Sequence, residues 1–212
     1  MGDKKGPASP AVDDVRSRLL AGATGLFARK GYAATTVREI VEAAGVTKPV
    51  LYYYFANKEA LYLELMRAPH ARFLAMLDES VEGGGSASDK IRTVLSRHYE
   101  MFVLHNEIAR IGYAVYFGPP QGAPFFDFDD FQLKLMETIR LLVREGIGSG
   151  EFRDGDIEAM TLAINAVQNF VNQVELCRIE MRVGLDGLAR MLDVLLDGMR
   201  ANDYGKGKRK RT

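Results

Sequence analysis

Apolar positions along this chain recur at helical spacing. Behind Asp13 and Asp14, residues Val15, Leu19, Ala23, Leu26 and Phe27 share one face while Arg16, Arg18, Arg29 and Lys30 lie elsewhere, which predicts an amphipathic helix ended at Gly31. Thr36 followed three residues later by Glu39 has the form of a capping box. Val37, Ile40, Val41 and Ala44 then follow the i, i+3, i+4, i+7 rule, so a second helix of barely two turns is expected. Gly45 comes directly after it, as a left-handed C-cap would want. Thr47 can cap a third helix that tolerates Pro49 in its first turn, and Asn57 can cap a fourth. From Leu61 onward nearly every segment reads as helix, with breaks at Pro69 (which can be no more than a kink) and at 83–88, 118–124 and 146–155. No alternating strand pattern or internal repeat occurs. The predicted fold is all-α, with about nine helices.

The last two helices carry a regular packing signal. Ile157, Met160, Ile164, Val167, Val171 and Val174 alternate steps of three and four, as do Leu185, Leu188, Leu192, Leu195 and Met199. Residues 159–174 contain no charge, which predicts burial on most sides. Two such helices paired with two from a twin would form a four-helix bundle, the common isologous dimer. On that reading Ile164, Val167, Val171, Val174, Leu188, Leu192, Leu195 and Met199 form a dimer interface; the alternative is a core within one chain.

Composition changes this picture only where it is uneven. The net charge of zero over 212 residues hides nine Lys/Arg against six Asp/Glu in residues 1–60, fourteen against twenty-two in 61–204, and five basic residues with no acid in 205–212. A basic head on an acidic body points to a local nucleic-acid surface. The single Cys177 excludes an intrachain disulfide and suits a reducing cytoplasm. The polar N-terminus has no apolar leader and no apolar run is long enough to span a bilayer, so neither export nor a membrane partner is expected.

The residues between Thr36 and Phe55 carry the chemistry. Helix, glycine turn and helix stand at the spacing of a helix-turn-helix that reads the major groove. Leu51 and Phe55 share one face of the third helix and can pack on Val37, Ile40 and Val41, leaving Lys48, Pro49, Tyr52 and Tyr53 outside. Four consecutive aromatics, Tyr52 to Phe55, cannot all point inward from one helix. Arg38 can fork onto guanine or a phosphate, and Lys48 can do either as a point charge. The tyrosines offer hydroxyls to phosphate and ring edges to thymine methyls. Asn57 and Lys58 can place a helix N-terminus and an ammonium at a backbone phosphate.

The segment GLFARKGYAATTVREIVEAAGVTKPVLYYYFANKEALYLEL closely resembles the N-terminal DNA-binding region of the tetracycline-repressor (TetR) family of transcriptional regulators. The resemblance implies that Thr36, Arg38, Thr47, Lys48, Pro49, Tyr52, Tyr53, Tyr54 and Lys58 lie at the DNA. It also implies a homodimer whose larger C-terminal domain binds a small molecule that releases the operator; two recognition helices in successive major grooves predict that this operator is an approximate palindrome. EGIGSGEFRDGD (145–156) looks like the family's entry into its eighth helix. The chain then divides into a disordered arm (1–11), a helix-turn-helix DNA-binding domain (12–57), a helical effector-binding and dimerisation domain (58–204) and a basic disordered tail (205–212).

For the effector, an interhelical cavity lined by apolar and aromatic groups is expected, with Phe73, Met76, Tyr99, Phe102, Tyr113, Phe117, Phe131, Asn165 and Asn169 as candidates, and a flat or greasy ligand. Asn165, Gln168, Asn169 and Asn172 form an uncharged amide stripe that can bond a ligand, each other across a dimer, or water. His98 and His105 are seven apart with no ligand at i+3 or i+4, so no metal is assigned, and no cofactor. Nucleophile-elbow, P-loop and zinc-protease motifs are absent, so no catalytic residue is assigned and an enzyme is not expected. A helical ligand-binding or scaffold dimer without DNA recognition is the competing reading, whose signature would be loss of Arg38, Lys48, Tyr52, Tyr53 and Lys58.

Overall fold

The computed structural model describes residues 10–118, 122–177 and 179–201. They form nine α-helices: α1 (Pro10–Lys30), α2 (Val37–Ala44), α3 (Lys48–Tyr54), α4 (Lys58–Glu82), α5 (Ala87–Leu104), α6 (Asn106–Phe117), α7 (Asp129–Gly148), α8 (Ile157–Cys177) and α9 (Gly184–Met199). A 3-10 turn, Ile179–Met181, lies between α8 and α9. Among the described residues there is no strand, only an isolated bridge between Phe152 and Arg200. None of the helices is long and apolar enough to cross a membrane. The all-α class and the number of helices are those expected. Residues 1–9 of the predicted arm and all of the predicted tail lie outside the described residues, while Pro10 and Ala11 belong to the first turn of α1.

The described helices fall into two compact units, one from residues 10–70 with 105–118 and 122–128, the other from residues 71–104 with 129–177 and 179–201. The units do not divide at residue 57. The first half of α4 and all of α6 group with α1–α3, and α4 runs on past Pro69 as one helix.

In the first unit, Leu19, Ala23 and Phe27 from α1 pack with Ile40, Val41 and Ala44 from α2, Leu51 from α3, Leu61, Tyr62, Leu65 and Met66 from α4, and Ile111 from α6. α1 and α2 approach closely because Gly22 has no side chain: a Cβ there would stand 3.2 Å from Ala43 Cβ. Phe27, Tyr32 and Tyr62 form a ring cluster with centroids 5.1 to 5.5 Å apart, the two Tyr62 pairs edge-on, as aromatic quadrupoles prefer. The capping box of α2 is complete. Thr36 Oγ1 accepts from Glu39 N at 3.3 Å, and Thr36 N donates to Glu39 Oε2 at 2.9 Å. The Lys30 ammonium also bonds Glu39. Together, with Lys30 foremost, these hold the Glu39 carboxyl down at about 2.

The second unit is built around α8, which packs against α5, α7 and α9. Here the periodic seams face inward, contrary to the predicted interface. Ile164, Val171, Leu188 and Leu192 are fully buried within their own chain, and Val174 and Met199 nearly so. A side chain already removed from water by its own core has no surface left for a twin. The heptad steps were satisfied by neighbours in the same chain. What remains outside is another stripe, with Leu162, Phe170 and Val194 exposed. Of the predicted interface, Val167 and Leu195 are partly covered and line an open groove of about 850 Å³ between α8 and α9 with Ala159, Ala163, Met191 and Val194. α8 is therefore not buried on most sides.

The connection from α7 to α8 turns on one glycine. The buried Phe152 ring lies on Gly146, where a Cβ would stand 2.2 Å from ring carbon Cδ2. Phe152 N donates to Gly146 O at 2.9 Å, Arg153 N to Met199 O at 2.8 Å and Ala201 N to Glu151 O at 3.0 Å, so the loop is tied to the end of α9.

Two outcomes are expected. Gly146→Ala should displace the Phe152 ring and lower stability by about 1–3 kcal/mol, read as a fall in Tm, whereas Gly148→Ala, with nothing within 4 Å of its Cβ, should leave Tm unchanged or raise it. Because the folded pKa of Glu39 lies below its ordinary value of 4.5, its contribution is present above that pH and lost as pH falls toward about 2. The Tm difference between wild type and Glu39→Gln, followed from pH 6 to pH 2.5, should therefore shrink; a difference independent of pH would contradict the assignment.

Candidate nucleic-acid interface

α3 has seven residues, and its surroundings fix which side it shows. Gly45 takes φ +65, and Gly45 N and Val46 N return to Glu42 O and Val41 O at 3.2 and 2.9 Å, closing the end of α2. Thr47 opens α3 at the N-cap but makes no side-chain cap bond, and Pro49 sits in the first turn, where no N–H is needed. Leu51 and Phe55, one turn apart, are 0% and 5% exposed. Lys48 and Pro49 are thereby exposed, Tyr52 stands 52% exposed and Tyr53 79%. Tyr54 is partly buried, its ring edge-on to Tyr53 at 5.0 Å. The run of four aromatics thus splits into two outward, one intermediate and one inward.

The start of α2 lies on the same unit. Thr36 is exposed, its hydroxyl 2.8 Å from Glu39 Oε2. Arg38 is exposed and its Nε donates to Glu42 Oε1 at 2.7 Å along the helix. A phosphate or base would have to displace that carboxylate.

Lys58 is used differently from the sequence expectation. Its ammonium donates to Tyr32 O at 3.0 Å and Thr35 O at 2.9 Å and lies 4.0 Å from the Tyr32 ring centroid. Burial lowers its pKa. Held between two carbonyls and a ring, it fixes the loop from α1 to Thr36 rather than standing free for a phosphate. The neighbouring Asn57 caps α4 as expected, its Oδ1 accepting from Ala60 N at 2.7 Å.

Three basic residues that sequence reasoning left unassigned serve the same frame. Arg18 donates to Ala44 O at 2.8 Å at the end of α2, Lys30 holds Glu39, and Arg16 bonds Glu64 and lies 5.7 Å from the Phe55 ring centroid. Their partners are up to 48 residues away, a separation that leaves no periodic trace. The outward face of α3 offers one ammonium and two tyrosines on a helix small enough for a major groove. Hydroxyls and the ammonium suit phosphate, while ring edges and the lysine suit base edges.

The effector candidates are divided. Phe73, Met76 and Tyr99 are buried in the second unit, and Phe102 and Phe131 partly so, with Phe73 5.2 Å from Phe131. Asn165 is buried there too, but Asn169, about 40° further round α8 at the edge of the buried sector, is exposed. Asn165, Gln168 and Asn172 are buried within the chain, which removes the dimer-facing option for them. Tyr113 and Phe117 belong to the first unit, where Phe117 is 74% exposed. His105 stands at the N-cap of α6, past the end of α5, so it shares no helix with His98. Among the described residues no group of three or more His, Cys, Asp or Glu is placed to hold a metal ion.

Comparison with known proteins covers the same region. Residues 19–65 match the family described as bacterial regulatory proteins, tetR family. The HTH-type transcriptional regulator QacR of Staphylococcus aureus is 26% identical over 200 residues, covering 88% of this chain and 98% of QacR. The HTH-type transcriptional repressor AcnR of Corynebacterium jeikeium is 29% identical over 200 residues, covering 91% and 98%. A solved structure of a tetR-family regulatory protein from Rhodococcus RHA1 superposes with a TM-score of 0.68 at 23% identity, covering 92% of this chain and 100% of that one. The family match spans the helix-turn-helix, so residues 19–65 are a DNA-binding region of the kind found in the tetR family of bacterial regulatory proteins, and the chain is similar over most of its length to DNA-binding regulators of transcription.

Proposed function

We propose that the protein is a cytoplasmic repressor that binds a palindromic operator as a homodimer and is released by a small, mainly apolar effector held in its second unit. The observation that carries this is α3, pinned by Leu51 and Phe55 and presenting Lys48, Pro49, Tyr52 and Tyr53 outward. Lys48, Tyr52 and Tyr53 contact the groove and its edges, joined by Arg38, Thr36, Thr47, Pro49 and, at its margin, Tyr54. Lys58 acts through the loop it holds. Two α3 helices in successive major grooves require half-sites about 34–36 Å apart, or a multiple.

The second copy sits on the open groove between α8 and α9, lined by Ala159, Ala163, Val167, Met191, Leu195 and the exposed Val194. The resemblance to the tetracycline-repressor family, which implies a homodimer, supports the dimer. The enclosed aromatic side of the second unit, with Phe73, Met76, Tyr99, Phe102 and Phe131, takes the effector. Release follows only if the effector prefers the head spacing that misfits the operator.

The test is fluorescence anisotropy of the full chain with labelled DNA from upstream of its own gene and with scrambled DNA, over a salt series, followed by random-sequence selection. Selective binding at two chains per site is expected; failure in the selection as well would overturn the reading. Lys48→Ala should weaken operator binding about tenfold and reduce the salt slope by about 1, with Tm unchanged. Lys58→Ala should instead lower Tm and weaken DNA binding without flattening that slope, since its protons face Tyr32 and Thr35. Val194→Glu should leave the core folded but yield monomers in analytical ultracentrifugation and lose operator binding; a dimeric Val194→Glu protein would place the interface elsewhere.

A further inference from the structure

One side of α8 is polar where a helical core needs nothing polar. At about 100° per residue, Thr161, Asn165, Gln168, Asn172 and Glu175 fall within one sector of about 80°, and all five are buried. Some of their groups are accounted for. Thr161 Oγ1 donates to Ile157 O at 2.8 Å, Gln168 Nε2 donates to Asn172 Oδ1 at 2.9 Å, and Glu175 Oε1 accepts from Tyr99 Oη at 2.9 Å. Two oxygens are not: Asn165 Oδ1 and Gln168 Oε1, one helical turn apart, are sealed from the surface and have no hydrogen-bond partner in the protein. Leaving such atoms unpaired in an interior is costly, and apolar side chains of the same size would remove the cost.

The stripe faces inward. Its end at Glu175 is met by Tyr99 of α5, within the same core as Phe73, Met76 and the partly buried Phe131. Beside Tyr99, His98 packs on Phe73 at 5.4 Å, and its Nδ1 is also sealed without a partner. Burial lowers the His98 pKa, so the ring is neutral at pH 7. Among the described residues no Lys or Arg is buried. Arg97 is paired with Glu79, and Arg182, half exposed, with Glu175. An anion entering here would meet the Glu175 carboxylate and no free cation. A cation would have to displace Tyr99 and Arg182 from Glu175. Neutral amides, by contrast, can answer a hydroxyl, a carbonyl or an amide, because Asn165 can turn to offer either its oxygen or its N–H.

We propose that the α8 stripe holds the polar end of an uncharged, mainly apolar effector through Asn165 and Gln168, with the aromatic side chains around Phe73 covering its apolar body, and that carboxylates and phosphates are refused. This rests on the effector reading above and narrows it to a chemical class. Charge is excluded by the absence of a buried partner, and a purely hydrocarbon ligand by the two oxygens it would leave unpaired.

The test uses the full chain at pH 7.5 and compounds of one skeleton in hydroxyl and carboxylate form: 1-dodecanol with dodecanoate, 2-naphthol with 2-naphthoate, and a wider set of such pairs. Binding is read by thermal shift and titration, and operator release by anisotropy. The hydroxyl forms should bind and the carboxylates should bind at least tenfold more weakly. Asn165→Leu and Gln168→Leu should each weaken the hydroxyl forms tenfold or more. In the free protein, Asn165→Leu should leave Tm unchanged or raised, since it removes an unpaired buried atom. Carboxylates binding as tightly as their hydroxyl partners, binders indifferent to both substitutions, or an Asn165→Leu protein that unfolds would each overturn the proposal. Hydroxyl compounds that bind through these residues without releasing operator would support the site and overturn the regulatory reading alone. Absence of any binder in the set, in a protein that still binds operator, would overturn both while leaving DNA recognition standing.

Discussion

The outward face of α3 depends on the docking of Leu51 and Phe55. A helix of seven residues has no stability of its own, since isolated helices shorter than about 12–15 residues are marginal in water. α3 exists because those two side chains leave water, each burial stabilising it by about 2 kcal/mol. The same contact sets its rotation. A slip of one residue would turn the helix by about 100° and carry Tyr52 toward the core. The surface offered to DNA is thus not chosen separately from the fold; it is whatever the i, i+4 pair leaves outside.

The second constraint is the frame around that helix, and it explains where the basic head of the chain uses its charge. Arg18 closes the end of α2, Lys30 holds the carboxylate that caps its start, and Lys58 bridges two carbonyls of the preceding loop. A lysine or arginine whose donors are taken by its own backbone still adds to the long-range field that draws DNA in. It cannot also grip a phosphate without letting go of the loop. Lys48 remains open and Arg38 is held only by an exposed carboxylate within its own helix. The groups left open for recognition are therefore few, on α3 and the start of α2.

How far the sequence carried follows from the range of each interaction. The capping box at Thr36, the glycine turn at Gly45, the Pro49 start and the Asn57 cap are local, and each is legible within four residues. The outward pair Tyr52 and Tyr53 followed from counting faces on one helix. The role of Lys58 did not, because its partners Tyr32 and Thr35 are 26 and 23 residues away and a carbonyl carries no signature in sequence. Thr47 was legible as an N-cap position but not in its lack of a cap bond, which depends on how the chain turns after Gly45. The seams in α8 and α9 were legible as seams and illegible as to partner. A 3, 4 repeat says that a stripe is buried and is silent on whether the burying helix belongs to the same chain.

That ambiguity, once resolved, makes α8 the helix to watch. Its inward sector carries Ile164 and Val171 beside the polar stripe at Asn165 and Gln168, and its other side carries Ala159, Ala163 and Val167 in the groove with α9. In a dimer assembled on that groove, each α8 would touch the effector on one side and its twin on the other. Close-packed helices do not deform continuously, so a ligand that completes the hydrogen bonds of the inner stripe favours one seating of α8 over another. Two copies sharing that helix would then change their mutual seating together. Such coupling needs no chain of intermediaries between ligand and dimer, only that the two seatings differ in how well they satisfy Asn165 and Gln168, since a ligand with equal affinity for both could shift neither.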